Sequence, residues 1–325
     1  MLTPRHAARL SALVTSCAVA FSAIAQSTAP PGQTYPAKPI RIITTEAGSG
    51  NDIAVRIMAP GLTAALGQQM IVDNRGIGSA ELAAKAPPDG YTLLSYGTSL
   101  WLTPLLRNNV TYDPIRDYAP ITLTARAPGI IVVPVSLPAK SIPELIALAR
   151  SKPGELNYGS AATGSLPHLA GELFKSMAGV NIVRIPYKGS AQALNALIGE
   201  QVQMMFSNVG VVTSQLKAGR LRALAVSTAQ PSALAPGLPT VSSAGLPGYE
   251  VSSPFAMFAP GKTPAPHIAR LNHEMVRILN SPDVKDKLFS TGVEIVANTP
   301  QELAAVIQAE IAKWGKVIRE VGIRE

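Results

Sequence analysis

Cysteine is almost missing from this chain. Cys17 is the only one in 325 residues, and it lies inside an N-terminal stretch that reads as removable. A mature chain without it has no disulfide and no thiol chemistry. Aromatic residues make up 5% of the chain, too few to stack nucleic-acid bases, and no basic run with interleaved aromatics occurs. Histidine is as scarce, with four residues in all. "HEMVR", from His273, opens like a zinc-binding helix but places Arg277 where the second histidine is needed; His267 and His273 are expected on an exposed helix face. The nucleophile elbow G-x-S-x-G is absent. Past residue 25 no segment approaches the length and apolarity of a membrane span.

What is present begins with a leader. Arg5 and Arg9 precede the apolar run "LSALVTSCAVAFSAIA", which closes on the small residues Ala23-Ile24-Ala25. This is the layout of a secretory signal peptide, residues 1–25, with the mature chain starting at or near Gln26. Val14-Thr15-Ser16-Cys17 is a loose lipobox, but the chain stays apolar beyond Cys17. The formal charge of +8 falls to +6 without Arg5 and Arg9, a surplus that attracts anions at a distance. With 47% hydrophobic residues, a chain of this length can bury an ample core without covalent staples.

From Tyr35 strands and helices alternate, the pattern of an α/β fold with mainly parallel sheets. "PIRIITT" reads as a strand. A helix is expected over 52–66, with Ile53, Ile57, Met58, Leu62 and Leu66 on one stripe and Gly67 closing it. Ser141-Ile142-Pro143-Glu144 and Thr299-Pro300-Gln301-Glu302 are capping boxes that open later helices. Two domains are expected for about 300 residues: 35–132 with 256–325, and 133–255. The apolar stretches 130–136 and 253–261 would cross between them, giving a two-lobed body with a cleft and a two-strand hinge.

The stretch "ITTEAGSGNDIAVRI", 43–57, is a strand, a glycine turn and a helix. Gly48 and Gly50 supply two glycines of a dinucleotide fingerprint, and Asp73 falls near the ribose-binding position, but Ile53 occupies the third glycine place. That departure, and export from the cytosol, weigh against a secreted nicotinamide-dependent oxidoreductase. The other reading is a site for a small anion or polar ligand: unpaired N–H groups and a partial positive charge at the helix N-terminus, small residues that let a ligand approach, and Asp52 as the cap. Three further turns repeat the design. "NYGSAATGSLPHLAG" has Ser165 as cap, "IPYKGSAQAL" has Ser190, and "SYGTS" ends a strand in small hydroxyl residues. Ligands of open α/β sheets bind at the carboxyl ends of the strands, so turns in both lobes would face one cleft.

Over nearly the whole mature chain, the sequence resembles the substrate-binding proteins of tripartite tricarboxylate transporters, the Bug family of periplasmic receptors. The resemblance is carried by "PPDGYTLL", "YDPIRDYAPIT", "LNYGSAATGSLPHLAGELFKSMAGV", "VRIPYKGSAQALNALIGEQVQMMF", "AGRLRALAVS" and "LPTVSSAGLPGYEV". It implies a periplasmic-binding-protein (Venus-flytrap, type II-like) fold that closes on a small carboxylate, with no cofactor, metal, catalysis or nucleic acid. It also implies a monomer that delivers its ligand to membrane permease subunits, or in some members reports to a sensor. By motif, the implied ligand-binding residues are Glu46, Ala47, Gly48, Ser49, Asn51 and Asp52 in the first turn, and Ser160, Thr163, Gly164, Ser165 and His168 in the second. Tyr187, Gly189, Ser190 and Ala191 form the third segment. Asn208 follows the strand "VQMMF", and Thr98 stands at the "SYGTS" strand end. The first turn departs from the family pattern. Thr44, Thr45 and Glu46 precede Ala47, Ser49 replaces the second glycine, and the following loop is shortened to "DNRGIGSAEL". An ionised Glu46 beside the ligand site would favour a ligand with no more than one negative charge.

Overall fold

In this computed structural model the described residues are 35–322 apart from 162, and Tyr35–Glu325 form one compact unit. The expected signal peptide lies outside the described residues. No helix among the described residues is long and apolar enough to cross a membrane.

The first layer starts with strand β1 (Ile40–Thr44), helix α1 (Gly50–Leu66), strand β2 (Met70–Asn74), helix α2 (Ser79–Ala84), strand β3 (Thr92–Tyr96) and helix α3 (Ser99–Leu106). Strand β1 pairs in parallel with β2 and β3. Strand β4 (Tyr118–Pro134) follows, then helix α4 (Ile142–Ser151), strand β5 (Asn157–Ser160) and helix α5 (Leu166–Ala178). Next come strand β6 (Val183–Pro186), helix α6 (Ser190–Ile198), strand β7 (Met204–Asn208), helix α7 (Val209–Lys217) and strand β8 (Leu221–Val226). Strand β5 pairs in parallel with β6 and β7. Strand β9 (Ser252–Pro260) returns to the first layer, followed by helices α8 (Ala265–Leu279) and α9 (Pro282–Ser290), strand β10 (Glu294–Ile295) and helix α10 (Pro300–Val321).

The sheets are mixed rather than mainly parallel. The chain changes layers on β4, and β4 runs antiparallel to β7, β8, β9 and β10. Strand β3 is likewise antiparallel to β9. Each lobe keeps a parallel βαβ half, and the returning strands oppose it. The pairings also move the crossing points. Residues 118–128 of β4 pair with β9, and residues 129–134 pair with β7 and β8, so the change falls at Pro128–Gly129. The return crossing lies just ahead of β9, where Val251 N–H donates to the Ser227 carbonyl at 2.8 Å.

Apolar spacing explains the layers. One face of the first sheet buries Ile40 and Ile42 under Val55, Met58 and Leu62 of α1 and Leu271 and Met275 of α8. In the second lobe Ile130 and Val132 pack under Ala193 and Leu197 of α6 and Val212 of α7. The remaining core is continuous through both lobes, from Trp101 and Trp314 to Phe174 and Tyr249. Helix α10 packs on β4, α3 and α5. Helices α8 and α9 pack on α1.

Candidate functional site

The N-terminus of α1 is built differently from the sequence expectation. The helix begins at Gly50, two residues early, and its cap is Ser49, whose side chain accepts from Asp52 N. Asp52 is not the cap. It is buried in the first turn, where its carboxylate accepts from Gly48 N at 2.8 Å, Arg56 Nε at 2.8 Å and Asn74 Nδ2 at 2.9 Å. Burial alone would raise its pKa; these bonds outweigh it and hold the group below the ordinary carboxylate range. The loop is thereby fixed from inside, with Gly48 at φ +80°, a conformation that suits glycine. A Cβ on Gly50 would lie 2.4 Å from Phe255 Cζ, so the first turn of α1 sits directly against β9. Of the helix's expected stripe, Met58, Leu62 and Leu66 are buried, while Ile53 and Ile57 are half-buried.

In the second lobe the turn before α5 is held from two sides. Ser160 is fully buried, and its Oγ accepts from Arg184 Nε at 2.7 Å. Arg184 also donates to the Ala161 carbonyl at 3.0 Å and to Thr163 Oγ1 at 3.4 Å. His168, also buried, accepts from Gly164 N through Nδ1 at 3.1 Å. Gly164 has φ +77°. Ser165 has the extended backbone of an N-cap but makes no capping bond with its side chain. Its Oγ is buried without a hydrogen-bond partner.

Two adjoining cavities open at these turns. The inner one, about 160 Å³, is lined by Asn51 of α1, Gly97–Ser99 ahead of and opening α3, Gly164–Leu166 at the start of α5, and Ser252–Phe255 of β9. Glu310 and Trp314 of α10 complete its lining. Three helix N-termini, two from the first lobe and one from the second, thus converge on one space. Asn51 Oδ1, like Ser165 Oγ, is buried there without a partner. The outer cavity, about 400 Å³, shares Ser99, Gly164 and Ser165 with the inner one. It adds Glu46, Glu81, Tyr96, Arg107, Tyr112 and Thr163. Burial raises the pKa of the Tyr96 phenol, and the Glu46 carboxylate adds to the shift. A larger, open groove of about 680 Å³ between α1 and β2 meets no such convergence of helix ends.

The sequence candidates distribute as follows. Asn51, Thr98, Gly164 and Ser165 line the inner cavity, and Glu46, Thr163, Gly164 and Ser165 the outer one. Asn208 accepts from Ser253 Oγ at 3.3 Å, one side chain behind the inner wall. Asp52, Ser160 and His168 stand behind the turns and hold their shape. Ala47, Gly48, Ser49, Tyr187, Gly189, Ser190 and Ala191 line neither cavity. Ser190 is the first residue of α6 rather than its cap, which is Gly189. His267 is half-buried and stacked on Tyr35 at 3.8 Å, not on an exposed face; His273 is exposed. The dinucleotide coincidence dissolves, because the Asp73 carboxylate accepts from Arg41 Nε at 2.7 Å and Arg75 Nε at 3.1 Å. Sequence reasoning missed Arg184, Ser253, Glu310 and Trp314. The first two sit beside motif residues and could have been found from the strand register. The last two arrive from a helix whose sequence carries no turn signal near the site.

A two-lobed α/β body with helix N-termini of both lobes aimed at one polar cleft is the architecture of a periplasmic solute-binding receptor. The chain belongs, more narrowly, to the tripartite tricarboxylate transporter family receptors, whose family model matches residues 54–323. It is 34% identical to BugT of Bordetella pertussis over 298 residues, covering 90% of this chain and 91% of that protein. A solved R. palustris protein with adipate is 37% identical, with a TM-score of 0.76 over 90% of this chain and 99% of that one. MatC from Rhodopseudomonas palustris, solved with bound malate, is 27% identical, with a TM-score of 0.72 over 87% of this chain and 100% of that one.

Proposed function

We propose that this receptor captures a small carboxylate, or a related small polar molecule, between its lobes and hands it to the membrane subunits of a tripartite tricarboxylate-type transporter. It works in the periplasm as a monomer, after removal of residues 1–25, and performs no catalysis. One observation carries the reading: helix N-termini from both lobes meet at a cavity where Asn51 Oδ1 and Ser165 Oγ are buried and unpartnered. Buried polar atoms are nearly always bonded, and donors at helix ends suit an anion. The site residues proposed for contact are Asn51, Thr98, Thr163, Gly164 and Ser165, with Asp52, Ser160 and His168 shaping the turns. The relatives solved with adipate and malate support a small acid as the ligand class.

The lining of this cleft also supports a ligand with no more than one negative charge. Glu46 and Glu81 line one cavity together with Arg107, and Glu310 lines the other. A second carboxylate on the ligand would meet like charge on either side of the helix ends. The test is mass spectrometry of ligand released from the purified protein, followed by a thermal-shift screen of small acids and amides. A ligand at 100 times its dissociation constant adds about 2.7 kcal/mol of stability. Recovery of no small molecule, together with no stabilisation by any compound, sinks the receptor reading; a released dicarboxylate sinks the charge limit alone.

A further inference from the structure

Glu310 is the one titratable side chain lining the inner cavity among the described residues. Its surroundings hold it in place. Trp314 Nε1 donates to Oε2 at 2.9 Å, and Trp314 is itself buried against the core. Lys313 Nζ lies 3.9 Å from Oε1 and also donates to the Glu250 carbonyl. Arg126 Nη1 of β4 stands 4.0 Å from the Glu250 carboxylate. Of the other elements packed on α10, α3 carries no charged residue, and α5 carries Lys175, paired with Glu172 at 2.9 Å, and the buried His168, whose Nδ1 accepts from Gly164 N. The charges that shift Glu310 are Lys313, Glu250 and Arg126.

A carboxylate can accept about four hydrogen bonds, and the Trp314 bond is the one that Glu310 accepts among the described residues. Its remaining acceptor capacity is available to whatever fills the cavity. We propose that Glu310 is a specificity-determining contact of this receptor, selecting ligands that bring an uncharged hydrogen-bond donor, an amide or a hydroxyl, into the inner cavity and rejecting those that bring a second carboxylate there. The inference rests on the cleft being the ligand site. A donor facing an ionised carboxylate forms a charge-assisted bond, whereas an anion facing it loses its hydration and is repelled. Sites built around such a group reject the analogue that leaves it unpaired. The Glu310 carboxyl is displaced upward from its ordinary range, chiefly by burial, against the opposing influence of Lys313 and the Trp314 bond. Protonation at low pH turns Glu310 into a donor, so discrimination is greatest at high pH and narrows as pH falls.

Isothermal titration calorimetry with three four-carbon probes tests this: succinamate, succinate and butyrate, at pH 8 and pH 5, on wild type and Glu310→Gln. The amide keeps a carbonyl oxygen for Trp314 Nε1, so the fold is retained. If melting shows otherwise, Glu310→Met, close in length and uncharged, takes its place with the same expectation. Wild type at pH 8 is expected to bind succinamate at least tenfold tighter than either other probe, with the preference over succinate shrinking at pH 5. In the variant that preference falls to within threefold, and what remains of its change with pH is the part that the second protonation of succinate itself produces. A preference and pH response unchanged by the substitution overturns the role of Glu310, as does succinate binding tightest to wild type at pH 8. Absence of binding by all three probes overturns it too. A small acid recovered by mass spectrometry in that case leaves the receptor reading standing.

Discussion

Single side chains in this protein do their work by fixing turns. Asp52 joins Gly48, Arg56 and Asn74, and so ties the loop, the helix and the end of β2 into one piece. Arg184 does the same for the turn at Ser160–Thr163. The depressed pKa of Asp52 makes its contribution depend on pH. A carboxyl whose folded pKa lies below its unfolded value contributes stability above the unfolded value, near 3.8, and loses it as pH falls through the folded one. Asp52→Asn removes the charge but keeps one side-chain oxygen. It is expected to cost about 2 kcal/mol at neutral pH, roughly 5 °C in melting temperature. Melting curves from pH 7 down to pH 2 should show the wild-type advantage narrowing below about pH 4; a gap that stays constant to pH 2 would contradict the assignment.

At the scale of elements, β4 decides the architecture. It belongs to both sheets and changes between them at Gly129, where a Cβ would lie 2.1 Å from Ser227 Oγ and 3.3 Å from the Val251 carbonyl oxygen. Ser227 Oγ donates to that same carbonyl at 2.6 Å, and Ser227 N–H donates to the Gly129 carbonyl at 2.8 Å. The two crossing segments are thus pinned together through Ser227. Gly129→Ala is expected to displace the hydroxyl and cost about 1–3 kcal/mol. Because the Ser227 Cβ is 3.4 Å away, the double variant Gly129→Ala/Ser227→Ala should recover part of the loss in thermal melting. A double variant no more stable than Gly129→Ala alone would place the strain elsewhere.

For the whole molecule, cavity-lining turns on both sides of the paired crossing strands lead to a predicted closure about those strands, a hinge motion. Helix α10 packs on both α3 and α5, so closure should pivot around it. Small-angle scattering of ligand-stripped protein should show the radius of gyration falling when the ligand recovered from the native protein is added back. An unchanged radius on binding, with binding verified calorimetrically, would mean that capture proceeds without closure.

The alternation of strands and helices, the glycine cap at Gly67 and the Thr299 capping box were legible in the sequence because each is a local matter: apolar period, positive φ, and a side chain within three residues of the amide it bonds. The turns before α1 and α5 were legible for the same reason, and so were Asn51, Thr98, Gly164 and Ser165, which the cleft brings together. Tertiary structure decided the rest. Whether Asp52 caps a helix or braces a loop depends on Asn74 reaching it from the end of β2. The antiparallel run of β4 and β9 depends on where a long strand changes sheets, which no local spacing encodes. Glu310 and Trp314 enter the cleft from a helix more than 140 residues away in sequence from the α5 turn they face. Such contacts are set by the packing of whole layers, since the free energy that places them comes from burying the shared core rather than from any bond the local chain could form by itself.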